Sequence, residues 1–71
     1  MQFLWDEEAL SRRENTLVHA LLELFMVSMI TQRQAERGGG PATAADASEA
    51  IRQTIDWAAR MFPDLNVGFR E

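Results

Sequence analysis

The chain has 71 residues, seven of them basic (all arginine) and eleven acidic, with one histidine, no cysteine and a formal net charge of -4. That length gives one small domain, the missing cysteine excludes a disulfide framework or a thiolate metal site, and the acidic balance argues against a sequence-independent grip on phosphates. An apolar content of 46% is too high for a disordered tail. Below about 70–80 residues one core rarely supplies more than roughly 3–5 kcal/mol, so association with another chain is the expected source of extra stability.

Residues 1–5 form an apolar lead-in. It lacks a basic n-region and runs into Asp6, Glu7 and Glu8, which does not fit a secretory signal. Residues 7–37 read as one long helix. Asp6 can cap it, with Glu7 and Glu8 at the positive end of the helix dipole. Ser11 with Glu14 also fits a capping box. The earlier start is favoured because Glu7, Glu8, Ala9 and Leu10 are all compatible with helix. Arg33 and Arg37 suit the last turns, and Gly38-Gly39-Gly40-Pro41 ends the helix. A glycine-rich loop, 38–43, follows.

The second helix is expected over 44–62, starting at Thr43 or Asp46, each with an acid three residues on. Arg52–Asp56 and Asp56–Arg60 are i,i+4 pairs on its outer face. Pro63 stops it, leaving a tail over 63–71. Within the tail, Leu65 to Phe69 alternates at the strand period but is too short to make a sheet alone.

On a helical wheel the second helix gathers Ala47, Ala50, Ile51, Ile55, Ala58, Met61 and Phe62 on one side, with Trp57 at the edge. The first helix is apolar around far more of its girth. Leu17, Leu21 and Leu24 lie on one side, and Val18, Leu22, Phe25 and Met29 on the next; Val27 and Ala20 widen the arc to roughly 220°, against about 100° for a helix facing one core. A short connection makes the helices antiparallel neighbours, and one neighbour cannot cover such an arc. The expected fold is therefore all-α: an antiparallel two-helix hairpin, residues 1–71, that pairs into a homodimeric four-helix bundle. Leu17, Val18, Leu21, Leu22, Leu24, Phe25 and Met29 are the expected dimer-interface residues. At the pole opposite the glycine loop, Phe3, Leu4 and Trp5 ahead of the first helix and Leu65, Val67 and Phe69 after the second either close the bundle end or form an apolar patch for another protein, with Phe3, Trp5, Trp57, Leu65, Val67 and Phe69 as the expected partner-binding residues.

Chemistry-bearing patterns are sparse. His19 and Glu23 are helical neighbours, but no Glu-x-x-His or His-Glu-x-x-His pattern extends them into a metal site. Ser11, Ser28 and Ser48 have only His19 as a possible base. Gly38–Gly40 lacks the preceding strand and the following Lys-Ser/Thr of a phosphate loop. Arg12 and Arg13 sit among Glu7, Glu8 and Glu14, unlike a basic recognition face. The stretch from Leu17 to Ile30 is interrupted by His19, Glu23 and Ser28 and falls short of the roughly 20 residues of a membrane span. We therefore expect no catalytic, cofactor or metal residues, no nucleic-acid or membrane partner, and a cytoplasmic location.

The helix from Asp6 to Arg37, the break at Gly38–Gly40 and the helix from Thr43 to Phe62 together resemble small regulators made by bacteria and their phages that disable a host protein. Among these, the chain is similar in shape to the phage quorum-sensing anti-activators, short helical dimers that bind LuxR-type transcription activators. The resemblance implies a homodimer in the host cytoplasm that binds a host regulatory protein, engaging the activator's ligand-binding domain and blocking DNA binding. It carries no individual contact residue. Phage inhibitors of pilus motors or CRISPR complexes share this size and acidity. A structural or nucleic-acid-regulating bundle of the Rop-like kind is the alternative.

Overall fold

A computed structural model describes residues 2–71; Met1, counted above in the lead-in, lies outside the described residues. Two helices, α1 (Arg12–Glu36) and α2 (Ala44–Met61), pack along each other, and two short strands, β1 (Gln2–Leu4) and β2 (Gly68–Arg70), join the chain's two ends. Arg33 of α1 and Arg37 just beyond its end meet Asp46 near the start of α2, and Phe25 meets Trp57 further along, so the helices run antiparallel.

The first helix starts at the later of its two possible caps. Ser11 Oγ accepts from the Glu14 N–H at 3.1 Å, and Glu14 Oε1 accepts from the Ser11 N–H at 2.8 Å. This reciprocal box satisfies two helix-end groups at once. Asp6 makes no side-chain cap; its carboxylate accepts from Asn66 Nδ2 at 2.9 Å instead. Residues Glu7–Ala9 form a 3-10 turn, and Leu10 is extended, which breaks the expected helix over 7–37 into a turn and a 25-residue helix. At the far end the Gly38 N–H bonds the Ala35 carbonyl and the Gly39 N–H bonds the Gln34 carbonyl. This is the Schellman closure, and Gly38 supplies the left-handed backbone it needs, at φ 90°.

Thr43 and Asp46 form a second reciprocal box at the start of α2. The helix ends at Met61 rather than Phe62, because Phe62 adopts φ -132°, ψ 61° ahead of Pro63. A 3-10 turn over Pro63–Leu65 closes on Asn66 in the left-handed region, which asparagine tolerates.

The terminal segments correct the all-α expectation. β1 and β2 pair antiparallel, with Phe3 opposite Phe69 and their rings edge-to-face at 5.0 Å. Two strands alone are marginal; these are held because Phe3 is buried in the core with Val18, Leu22, Ala58 and Leu65. The lead-in is also tied to α1: Trp5 Nε1 donates to Asn15 Oδ1 at 2.8 Å, and Asn15 Nδ2 donates to the Glu7 carbonyl at 3.0 Å. Replacing Asn15 by Ala removes both bonds. The expected cost is about 1–2 kcal/mol, read as a lower urea midpoint at unchanged m-value; an unmoved midpoint would show that the lead-in is held by packing alone.

The hairpin is slender. Its radius of gyration is 13.0 Å, against about 11 Å expected for a globular chain of this length. The core lies toward the pole where the strands pair, while the glycine-loop end is held by charges.

Candidate functional site: the outer face of the first helix

The packing of α2 selects one side of the apolar girth of α1. Val18 and Leu22 are buried within the chain, Phe25 and Met29 are half-buried, and the Phe25 ring stacks on Trp57 at 4.6 Å. Leu22 is thereby corrected as a dimer-interface residue, its side chain being fully enclosed by its own polypeptide, while Val18 is buried within the chain and reaches the surface only on the wall of the groove described next. The other side of the girth stays open. Leu17 is 56% exposed, Leu21 44%, Leu24 65% and Val27 53%. Ala20 and Ser28, also exposed, fall between them on the wheel, so the strip from Leu17 to Ser28 carries no charge.

Beside this strip lies a groove of about 480 Å³, lined by Leu10, Leu17, Leu21, Met61, Phe62 and Leu65 among others, with Glu14 and Asp64 also on its wall. The turn at Pro63 makes its far wall by folding the chain back across the end of α2. Met61 is exposed there, so the apolar surface continues from α1 onto α2. Val27 and Met61 were both visible on the wheels as apolar positions, but neither was singled out as an interface residue. The groove has no sequence signal, because it depends on how the tail returns.

The aromatic residues near the two ends pack in or against the hairpin's own core. Phe3 and Leu65 are buried, and Trp5, Trp57, Val67 and Phe69 are half-buried against the same core. Trp57 lies between the Phe25 ring and the Phe62 ring, the latter edge-on at 5.7 Å. The pairing of β1 with β2 brings Phe3 and Phe69 together against that core, while Trp5, Trp57, Val67 and Phe69 each keep part of their surface exposed. Leu4 remains partly exposed beside a small pocket of about 190 Å³ that Trp5, Glu7, His19 and Glu23 also line. His19 Nε2 lies 3.1 Å from Glu23 Oε1, both side chains being exposed. Among the described residues, no group of three or more His, Cys, Asp or Glu is placed to hold a metal ion, and no helix is long and apolar enough to cross a membrane.

At the opposite end sits an ionic clamp. The Asp46 side chain is 2% exposed. Its carboxylate accepts from the Thr43 N–H at 2.9 Å and from Arg33 Nε at 3.2 Å, and Arg37 Nη1 lies 2.7 Å from one oxygen and 2.6 Å from the other. The Thr43 backbone bond, aided by the two guanidinium groups and opposed by burial, lowers its pKa from the ordinary 3.8 to about 2. Arg37 also donates to the Pro41 carbonyl at 2.6 Å, so one side chain ties together α1, the loop and α2. On the outer face of α2, Arg52 bridges Glu49 and Asp56; the first of these pairs holds the Glu49 carboxyl below its usual range.

No protein-family model, curated protein or solved structure matches this chain.

Proposed function

We propose that this protein is a small, non-enzymatic regulator that acts in the cytoplasm as a homodimer by binding and inhibiting another protein, a LuxR-type transcription activator being the target its resemblance suggests. The observation that supports the reading is the uncharged leucine face of α1, left open beside a filled core. A monomer gains nothing by exposing Leu17, Leu21, Leu24, Val27 and Met61 together. Full burial of such a side chain contributes about 1.5–3 kcal/mol, so finishing the burial of these half-exposed groups on two copies gives on the order of 10 kcal/mol. That is comparable to the roughly 4–15 kcal/mol cost of association, and the groove residues add to it. A second copy is the simplest cover because each chain brings the same strip.

With the strip covered, the surface left for a target includes the pole around Leu4 and Trp5, bordered by Glu7 and Glu23. Apolar anchors ringed by acids suit a target with a basic rim. The test is affinity capture with the tagged wild-type chain from a bacterial lysate, repeated with Leu4→Glu. The expected result is one specific protein retained by the wild type and reduced at least about tenfold by Leu4→Glu, with mass and helix signal unchanged. No retained protein, with the dimer intact, would leave the structural bundle; a salt-sensitive gel shift on DNA or RNA would favour the Rop-like reading.

A further inference from the structure

Resting on the homodimer reading above, we infer that the groove beside Leu17 and Leu21 is the seat for Leu24 of a second copy, the two α1 helices packing antiparallel about a two-fold axis at Leu21. The chain carries both halves of this contact. Among the described residues Leu24 is the most exposed large apolar side chain, and the groove lies one to two turns N-terminal to it. A two-fold contact requires that residue i meet j while j meets i. An axis at Leu21 does this, because it brings Leu24 of the second copy to the level of Val18, between Leu17 and Leu21.

Length agrees with that register. The helices overlap over residues 12–30, about 28 Å, or some two-thirds of the molecule's 41 Å length. A standard interface takes about 800 Å² per partner, roughly a sixth of this chain's 5034 Å² surface, and a contact of that length together with the Met61–Leu65 wall has room for it.

The chain has no cysteine, so single cysteines report the register without ambiguity. In the proposed arrangement Leu17 and Leu24 of opposite copies are offset by about 1.5 Å along the axis, while Leu17 pairs are offset by about 12 Å and Leu24 pairs by about 9 Å. Leu17→Cys and Leu24→Cys replace exposed residues. The experiment mixes the two variants, one with a mass tag, and follows mild oxidation or a short bis-maleimide against Ser48→Cys on α2 as control. The expected result is a mixed 17–24 cross-link forming at least about tenfold faster than either self cross-link. A dimer that cross-links 17 to 17 and 24 to 24, or at neither position, would overturn the register while leaving the homodimer standing. A wild-type chain that stays monomeric at about 100 µM would overturn both, and would leave the face to a different protein.

Discussion

Replacing Leu22 by Ala is expected to unfold most of the protein at room temperature. Leu22 is fully buried in the cluster that includes Phe3, Val18, Ala58 and Leu65. Truncating such a leucine costs about 2–5 kcal/mol, the transfer loss plus the cavity. A single core of this size rarely supplies more than roughly 3–5 kcal/mol, so one cavity consumes most of the margin. The measurement is helix signal by circular dichroism against urea, with wild type and Leu24→Ala alongside. Leu24 lies two residues away on the same helix, but on the exposed strip. Its truncation should leave the helix signal intact at high protein concentration and act through association. Equal loss at both positions would mean that folding draws as much on the outer face as on the core.

The second large effect belongs to Asp46. Asp46→Asn keeps the shape but discharges the clamp, leaving Arg33 and Arg37 without their shared carboxylate and weakening the cap on α2. A fall in Tm on the order of 10 °C at neutral pH is expected. The pH dependence has a definite sign. The folded-state pKa of about 2 lies below the ordinary 3.8, so the contribution is fully present above about pH 4 and is lost as pH falls toward 2. Glu14 is shifted in the same direction by the backbone and side chain of Ser11. Wild-type Tm should therefore drop steeply between about pH 4 and pH 2, and Asp46→Asn should show a shallower drop from a lower plateau. Parallel curves for the two proteins would show that the carboxylate's charge carries no stability.

The two helices, the glycine break and both capping boxes were legible in the sequence because each rests on residues within a few positions of one another. The start of α1 was misplaced because Asp6 and Ser11 both offer a cap locally. The choice depends on distant groups: Asp6 is engaged by Leu65 and Asn66, and Trp5 is held by Asn15. The pairing of β1 with β2 joins segments at opposite ends of the chain, three residues each, and no local pattern reports it. Most instructive is the girth of α1. Its two apolar strips are equally hydrophobic, so hydropathy alone could not say which one α2 covers. The clamp lies on the covered side: Arg33 falls within about 60° of Val18 and Leu22 on the wheel and pairs with Asp46 near the start of α2. The open strip is then Leu17, Leu21 and Leu24. The aromatic residues near both ends were legible as apolar, but the meeting of Phe3 with Phe69 depends on the terminal pairing.

Homodimerisation and the regulatory role proposed with it require that a second copy of the chain cover the open leucine strip in solution. Sedimentation equilibrium of the wild-type protein, from about 1 to 100 µM at moderate and at high salt, measures this directly. A mass of about twice 8.1 kDa is expected, undiminished by salt because the strip is uncharged. A folded species of 8.1 kDa across the whole range would contradict it.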